Sequence, residues 1–239
     1  MLKISKRLEA LDSLVNDDYE QIWDCCCDHG ILGMNLLARM AAPTIHFVDV
    51  VPSLISSLEA KLKTHFPVNN ENILSWQTHC ADATDLAINA YPGKQLVIIA
   101  GVGGDMTLRI VKALYDTLEA SNKLANVDFL LCPVRQHYRL RCGLYNKGFK
   151  VKREILVEEN KRIYEILLLS ADPDITELKT ITPTGDRIWL DDNNPMNGTA
   201  QKYGEILLEH YSKMAESGRA DALEALRAYK KTIQIRTPD

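Results

Sequence analysis

Short apolar segments alternate with longer helix-like segments along the first two thirds of this chain. The apolar segments cover residues 21–25, 44–50, 72–81, 95–100 and 127–132. The helix-like segments cover residues 3–15, 31–40, 53–65, 103–120 and 135–146. Strands of this length separated by helices predict a parallel sheet with helices packed on its faces. The run Q-L-V-I-I-A at 95–100 is typical of a central strand that is covered on both faces.

The alternation changes after residue 146. Residues 148–157 and 162–170 have strand composition and are joined by the polar segment E-E-N-K, which predicts an antiparallel hairpin. Residues 171–198 are rich in Asp, Pro, Thr and Asn and predict a loop, whereas residues 201–228 have helical composition. We therefore expect an α/β domain over residues 1–170, and a loop with a helical C-terminal appendage over residues 171–239. Parallel strands closed by an antiparallel hairpin are the order of a Rossmann-like class I methyltransferase sheet.

Composition is that of an ordinary globular protein, with 46% hydrophobic and 25% charged residues among 239. No apolar run approaches the roughly 20 residues that span a bilayer. The N-terminal segment M-L-K-I-S-K-R-L-E-A carries charges where a signal peptide would be apolar. We expect a cytoplasmic protein without a membrane segment. The sequence leaves the oligomeric state open, with a monomer slightly favoured.

The six cysteines do not form a recognisable metal or disulfide pattern. Cys25, Cys26 and Cys27 are adjacent, and the other three are scattered in hydrophobic surroundings. Zinc sites generally use spaced pairs such as C-x-x-C, and the sequence contains neither that pattern nor H-E-x-x-H. We expect reduced thiols and no metal. A redox or metal protein built on the three adjacent cysteines is the least favoured alternative.

The segment D-C-C-C-D-H-G-I-L-G at residues 24–33 follows a predicted strand and opens a predicted helix. A Gly-rich turn approaches a nucleotide at this place in doubly wound folds. The pattern D-x-G-x-G-x-G-x-x-G aligns with Asp24, Cys26, Asp28, Gly30 and Gly33. Cysteine is small, so we expect that Cys26 stands where glycine is needed for closeness and not for a positive φ. Asp28 would repel a pyrophosphate, but it suits the cationic methyl donor S-adenosylmethionine.

Acidic residues stand at the ends of three successive predicted strands. Asp24 ends the first, Asp49 the second and Asp82 the third. Carboxyl ends of parallel strands share one edge of the sheet, where ligands bind in such folds. We expect Asp49 to accept hydrogen bonds from ribose hydroxyls and Asp82 to meet the adenine amino group. At the end of the fourth strand, the glycines of A-G-V-G-G-D at 100–105 would let an acceptor base approach the backbone closely.

Four segments together resemble the bacterial tRNA adenine-22 N1-methyltransferases. They are K-I-S-K-R-L near the N-terminus, I-W-D-C-C-C-D-H-G, I-I-A-G-V-G-G and E-E-N-K-R-I-Y-E-I-L-L, and the resemblance covers about residues 2–170. It implies a Rossmann-like methyltransferase domain with a helical C-terminal part, S-adenosylmethionine as cofactor and tRNA as partner. It implies methyl transfer to N1 of an adenine, adenine 22 of the D-loop region. The chain departs from better-known members at Cys26 and at Cys132 to Val134, where those members have glycine and Q-P-N.

The pattern and the resemblance define three groups of candidate residues. The expected donor-binding residues are Arg7, Asp24, Cys26, Asp28, Gly30, Asp49, Val50, Asp82, Ala83, Ala100, Gly101 and Val102. The expected catalytic residues are Asp28, His29, Gly103 and Gly104. The net charge is −4, but residues 135–162 are locally basic, and the expected RNA-binding residues are Arg135, Arg139, Arg141, Lys150 and Lys152.

Two further functions remain open from the sequence. A methyltransferase acting on another RNA, a protein or a small molecule would keep the donor site but would not need the basic surface. A non-catalytic RNA-binding relative would bind RNA without turning over a donor.

Overall fold

The computed structural model describes residues 4–67, 75–189 and 198–236. Within these ranges the helices are α1 (Lys6–Ser13), α2 (Ile31–Ala38), α3 (Pro52–His65), α4 (Gly104–Ala120), α5 (His137–Asn146), α6 (Gly198–Glu216) and α7 (Ala220–Arg236). The strands are β1 (Gln21–Cys25), β2 (Thr44–Asp49), β3 (Ser75–Cys80), β4 (Gln95–Ala100), β5 (Val127–Cys132), β6 (Lys150–Glu159) and β7 (Arg162–Ser170).

All seven strands lie in one sheet, in the order β3-β2-β1-β4-β5-β7-β6. Strands β1 to β5 pair in parallel, whereas β7 is antiparallel to both β5 and β6. The predicted Rossmann-like class I methyltransferase sheet with an antiparallel hairpin is confirmed. The strand order reverses between β1 and β4, and this reversal opens a crevice at their carboxyl ends.

Several element boundaries agree with the sequence prediction to the residue. Strands β1, β4 and β5 have the predicted bounds, while residues 72–74 of the predicted third strand lie outside the described residues. Helix α1 is shorter than the predicted range of 3–15. Ser5 is extended, and its Oγ accepts a hydrogen bond from the Leu8 amide at 3.4 Å, so it caps the helix N-terminus.

The hairpin between β6 and β7 turns through two residues with positive φ. Asn160 has a φ of 49° and Lys161 a φ of 65°. Two left-handed residues in succession match the twist of the flanking strands, as in a type I′ turn. The first hairpin strand therefore runs from 150 to 159, two residues later than the predicted 148–157.

Helices cover both faces of the sheet. One apolar core lies under α4 and α5 and includes Ile110, Leu114, Leu140 and Leu144. A second core lies under α1, α2 and α3 and includes Leu11, Leu36, Leu58 and Leu62. The β4 strand is buried along almost its whole length between these cores, as its apolar sequence predicted.

The C-terminal residues form the predicted helical appendage. Helices α6 and α7 are joined by three residues and pack against each other as a helical hairpin. Their shared core contains Trp189, Tyr203, Tyr211 and Tyr229 and extends to Tyr138 on α5. The appendage is thereby packed onto the α/β domain through α5. None of the helices in the described ranges is long and apolar enough to cross a membrane.

Arg141 lies at the centre of this junction, which overturns the prediction that it binds RNA. Its side chain is fully buried, and its guanidinium contacts Glu165 at 2.7 Å and Glu154 at 2.9 Å. Glu165 also accepts a hydrogen bond from the Tyr203 hydroxyl at 2.5 Å. Burial disfavours the charged guanidinium, but the negative charges of Glu165 and Glu154 outweigh this and raise the pKa of Arg141. Arg141 therefore joins α5, the hairpin and α6.

Two histidines on neighbouring strands near the edge of the sheet are in contact, His46 fully buried and His79 half-buried. His46 on β2 is fully buried, stacks on Trp23 with ring centroids 3.7 Å apart, and lies 3.0 Å from His79 through Nδ1 and Nε2. Its Nε2 lies 2.9 Å from Gln21 Oε1. Burial and the neighbouring His79 lower the pKa of His46 to about 3. The pair is therefore held neutral in the folded protein.

This pair predicts a loss of stability in acid. An unfolded histidine has a pKa of about 6.5, so neutral His46 contributes its full stability above that pH and loses it as the pH falls toward the folded value. Between about pH 6.5 and pH 4.5 the loss is about 2–3 kcal/mol. Urea unfolding of the wild type and His46→Gln at both pH values should show the stability gap between them shrink by this amount in acid. A gap independent of pH would contradict the assignment.

Candidate functional site

A cavity of about 690 Å³ opens at the carboxyl ends of β1, β2 and β4, where the strand order reverses. Its volume lies in the range of small-molecule binding sites. Most of the predicted donor-binding residues line it: Arg7, Asp24, Cys26, Asp28, Asp49, Val50, Asp82, Ala83, Ala100, Gly101 and Val102. The predicted catalytic residue His29 also lines it. The structure thus brings together predicted residues from five separate parts of the sequence.

Asp24 forms the floor of the cavity at the end of β1. Its side chain is buried, and Oδ2 accepts a hydrogen bond from the Gly33 amide at 3.0 Å. Burial raises the pKa of Asp24 to about 7, the Gly33 amide opposes the shift, and the negative charge of Asp49 adds to it. A positively charged group placed in the cavity would favour the ionised form of this carboxyl.

The turn after β1 takes a conformation that glycine usually provides. Cys26 has a φ of 57° and Asp28 a φ of 52°, both in the left-handed region. The expectation that Cys26 occupies a place without positive φ is therefore wrong. A side chain in this region costs about 1–2 kcal/mol per residue, so the surrounding contacts must hold the turn in place. One such contact is the hydrogen bond from the Asp28 amide to Asp49 Oδ2 at 3.0 Å.

Asp49 at the end of β2 supports two backbone segments at once. Besides accepting from Asp28, it accepts a hydrogen bond from the Val51 amide through Oδ1 at 3.0 Å. Each carboxylate oxygen has two lone pairs, so both retain an acceptor direction for a ligand. Asp49 can therefore organise the cavity wall and still receive a hydroxyl group.

Asp82 follows β3 on the other side of the cavity. Its Oδ1 accepts from the Thr84 amide at 3.0 Å, and its Oδ2 contacts Arg109 Nη2 at 2.9 Å. The Thr84 amide, ahead of the positive charge of Arg109, lowers the pKa of Asp82. The carboxylate is thus ionised and aligned at the cavity wall.

The adjacent cysteines are neutral thiols. Burial, together with the negative charges of Asp49 and Asp24, raises the pKa of Cys26 to about 11. Burial likewise raises the pKa of Cys25 and of Cys27. Nucleophilic and metal-binding cysteines need a lowered pKa, because the thiolate is the reactive form. Among the described residues, no group of three or more His, Cys, Asp or Glu side chains is arranged to hold a metal.

Three predicted glycines lie outside the cavity lining, and each has a packing role. A Cβ on Gly104 would lie 2.6 Å from the carbonyl oxygen of Gln136 and 2.9 Å from that of Arg135, and one on Gly103 would lie 3.0 Å from Gln136 Oε1. These glycines therefore let the loop after β5 pack on the start of α4, and the proposed approach of a base to them is not supported. A Cβ on Gly30 would lie 2.6 Å from Leu58 on α3.

The sequence reasoning missed one wall of the cavity. Met106, Arg109 and Ile110 project into it from the first turns of α4. Their spacing of three and four residues places them on one helical face, a signal that the sequence does contain. The other unpredicted lining residues are Leu8, Cys27, Ile31, Leu32, Val48, Val51, Leu54 and Ala81.

The predicted basic residues lie at opposite ends of the strands, two near the carboxyl ends and two near the amino ends. Arg135 and Arg139 are exposed beside the carboxyl edge, Arg139 being 66% exposed and 3.2 Å from Asp105. Lys150 and Lys152 lie near Ser170 and Asp128, at the amino end of β5, and Lys152 forms an ion pair with Asp128. This places both lysines roughly 13 Å along β5 from the cavity edge. Both lysines stand at the start of β6, which runs in the same direction as β5 because β7 is antiparallel to each of them.

The turn of the hairpin supplies further positive charge at the cavity edge. Lys161 and Arg162 are exposed at the end where β6 gives way to β7. Together with Arg135 and Arg139 they form a group that we call the basic edge. The aromatic side chain of Tyr138 is not part of it, because its hydroxyl donates to Glu224 at 3.0 Å and its ring packs on Tyr229.

A comparison with models of known protein families identifies the family of this chain. A family model described as a methyltransferase domain matches residues 4–167. The chain belongs to this methyltransferase family. A search of curated protein sequences finds no match to this methyltransferase.

Solved structures match the methyltransferase along nearly its whole length. TrmK of M. capricolum in complex with S-adenosyl-homocysteine is 16% identical, with a TM-score of 0.73 and coverage of 98% of this chain and 97% of that chain. The m1A22 tRNA methyltransferase TrmK of B. subtilis is 16% identical, with a TM-score of 0.70 and coverage of 99% and 98%. Sp1610 of Streptococcus pneumoniae in complex with S-adenosyl-L-methionine is 22% identical, with a TM-score of 0.67 and coverage of 96% and 99%. At these identities the likeness shows a shared fold.

Proposed function

We propose that this methyltransferase transfers the methyl group of S-adenosylmethionine to N1 of an adenine in tRNA, adenine 22 of the D-loop region. The observation that carries the proposal is the extent of the structural likeness. The m1A22 tRNA methyltransferase of B. subtilis matches 99% of this chain, so the likeness includes the C-terminal helical hairpin as well as the sheet. A likeness confined to the sheet would support only a methyltransferase of unstated acceptor.

The cavity residues fit the proposed donor in charge and in hydrogen-bonding capacity. Arg7 lines the cavity, and within the described part of the chain its buried Nε has no hydrogen-bond partner. Its guanidinium lies over the Tyr164 ring, 5.1 Å from the centroid. It also lies beside Gly101, because a Cβ added to that glycine would be 3.8 Å from Arg7 Nη1. We assign Arg7 to the carboxylate of the donor, which would supply the missing acceptor.

The remaining polar groups of the donor match the acids of the cavity. Asp49 is assigned to the ribose hydroxyls and Asp82 to the adenine amino group, since an ionised carboxylate accepts hydrogen bonds only. Asp28, whose side chain is 70% exposed, is assigned to the ammonium group. Val50 and Met106 offer apolar surface at the same cavity for a flat ring.

The chain's own contribution to the reaction is positioning and desolvation. When bound, S-adenosylmethionine supplies an electrophilic methyl group on a sulfonium. Adenine N1 carries a lone pair and needs no base, so the acceptor ring has only to be held in line and kept from water. The backbone of residues 100–102 forms the cavity edge, where Val102 O accepts from the Val134 amide at 2.9 Å. This bond ties the ends of β4 and β5 together beside the acceptor.

His29 is the polar group that we assign to the acceptor side of the cavity. Its side chain is 58% exposed, and Nε2 lies 3.7 Å from Asp28 Oδ1. Val134 is also exposed near this edge, but its side chain cannot form a hydrogen bond to a base. Polar recognition of the acceptor adenine is therefore assigned to His29, beside Asp28 at the donor's ammonium group. The basic edge is assigned to phosphates of the tRNA. With tRNA as its substrate, the protein is assigned to the cytoplasm.

The test is methyl transfer to a defined RNA. Unmodified tRNA transcript is incubated with labelled S-adenosylmethionine, digested and examined for 1-methyladenosine. We expect 1-methyladenosine in a transcript with adenine at position 22 and none in the matched transcript with guanosine there. Donor binding without transfer to either transcript would overturn the tRNA assignment and favour another acceptor. Equal methyl transfer to both transcripts would overturn only the assignment of position 22.

A further inference from the structure

Arg109 is a cavity residue that the proposed contacts leave without a role. It lies on α4, one turn after Met106, and both side chains line the cavity. Its Nη2 atom is 2.9 Å from Asp82 Oδ2, and the two side chains are 55% and 35% exposed. The ion pair thus connects the first turns of α4 with the segment that follows β3.

The cavity contains more negative than positive side chains. Among the described residues, four aspartates line it, at positions 24, 28, 49 and 82, against the two arginines Arg7 and Arg109. Carboxylates that face one cavity repel one another and favour protonation. Arg109 is in direct contact with one of them, so it compensates this repulsion at Asp82 in particular. An Asp82 side chain rotated away from this position would no longer present its acceptor oxygens to a ligand amino group.

Two partners hold the carboxylate of Asp82, one at each oxygen. The Thr84 amide holds Oδ1, and Arg109 holds Oδ2, the oxygen that has no other partner in the described structure. A carboxylate anchored by one oxygen can still turn about its own axis, whereas two partners in different directions define its plane. Arg109 therefore supplies the second of the two contacts that orient the acceptor.

We propose that Arg109 is a positioning residue for donor recognition, which aligns Asp82 so that it accepts a hydrogen bond from the amino group of the donor's adenine. This inference rests on the proposed function, because it takes an adenosyl compound as the ligand. It concerns the binding of the donor and not the transfer of its methyl group. Arg109 thus acts at the adenine end of the cavity, away from Arg7.

The experiment compares two ligands by calorimetry in the absence of RNA. The first is S-adenosyl-homocysteine, and the second is its analogue with hydrogen in place of the 6-amino group. We expect Arg109→Gln to raise the Kd for S-adenosyl-homocysteine about fivefold to tenfold, because Asp82 keeps its contact to the Thr84 amide and loses only the second contact that orients it. The Kd for the analogue without the amino group should change by less than about twofold, because that analogue has no amino proton for Asp82 to accept.

Arg219→Gln is the matched control. Arg219 is also 55% exposed and lies 2.8 Å from Asp221, but this pair is at the start of α7, and neither residue lines the cavity. It should leave both Kd values unchanged. Arg109→Lys, which keeps the positive charge, should weaken S-adenosyl-homocysteine by less than about threefold, so that a folding defect in Arg109→Gln is distinguished from the loss of charge.

The outcomes separate this inference from the proposed function. If the wild type binds S-adenosyl-homocysteine and Arg109→Gln binds it equally well, the inference fails while the donor assignment stands. Equal weakening of both ligands would also overturn it, since the amino group would then be irrelevant. An unchanged Kd with a raised KM for tRNA would assign Arg109 to RNA contact instead. Failure of the wild type to bind the ligand would overturn the donor assignment itself.

Discussion

Replacing Arg141 by methionine should destabilise the protein by about 3–5 kcal/mol, the usual effect of removing one partner from a buried ion pair. The substitution leaves Glu154 and Glu165 buried without their positive partner, since both accept hydrogen bonds from this guanidinium. It also removes the donor to the Thr182 carbonyl, 3.2 Å away. Urea unfolding followed by circular dichroism measures the loss. For a chain of this size the melting temperature should fall by about 6–20 °C.

Two further variants show whether the burial of Arg141 is the reason for the expected loss of stability. Arg139→Met removes an arginine two residues earlier on the same helix, but this side chain is 66% exposed, so its ion pair should contribute less than about 1 kcal/mol. Adding Glu165→Gln to Arg141→Met should recover part of the stability, because one uncompensated buried charge is removed. Similar losses for Arg141→Met and Arg139→Met would contradict the role of the buried network.

Replacing Asp49 by alanine should weaken donor binding on the order of 100-fold, which corresponds to about 2.7 kcal/mol, or about 1.4 kcal/mol for each of two hydrogen bonds to the ribose. The carboxylate is the acceptor assigned to the ribose hydroxyls. It also holds the Asp28 and Val51 amides, so its removal loosens both sides of the ribose position. Calorimetry with S-adenosylmethionine gives the Kd, and kcat/KM for methyl transfer should fall in parallel.

A comparison variant for this substitution is Asp116→Ala. Asp116 is 63% exposed and pairs with Lys147 at 2.7 Å, and it is not among the cavity residues. Its replacement should leave the Kd for S-adenosylmethionine unchanged. If Asp49→Ala bound the donor within about threefold of the wild type, Asp49 would have no part in holding the ribose.

The agreement between sequence and structure has an identifiable physical origin. Strands β1, β4 and β5 have the predicted bounds because each is a short run of apolar residues between polar turns. Asp24, Asp49 and Asp82 meet at one cavity because they stand at or just beyond the carboxyl ends of successive strands, and parallel strands end at the same edge. Both predictions needed only local composition and the direction of the strands.

The disagreements concern relations between distant residues. Arg141 looked like its exposed neighbour Arg139, but its partners Glu154 and Glu165 lie 13 and 24 residues away and reach it only when the hairpin packs on α5. Lys152 lies in a basic stretch of the sequence, yet it stands near the start of β6, which runs in the same direction as β5, so it lies at the end of the sheet opposite the cavity. The charge of a residue says nothing about which of these environments surrounds it.

By itself, the sequence determined the strand and helix order, the sheet edge that holds the site and the acids that line it. These follow from hydrophobic periodicity and from the shared direction of parallel strands, which act over a few residues. Only the tertiary structure decided that Cys26 takes a left-handed conformation, that Arg109 contacts Asp82 and that Arg141 is buried. Each of these depends on contacts between elements far apart in the chain, where burial and charge pairing are settled by packing and not by local pattern.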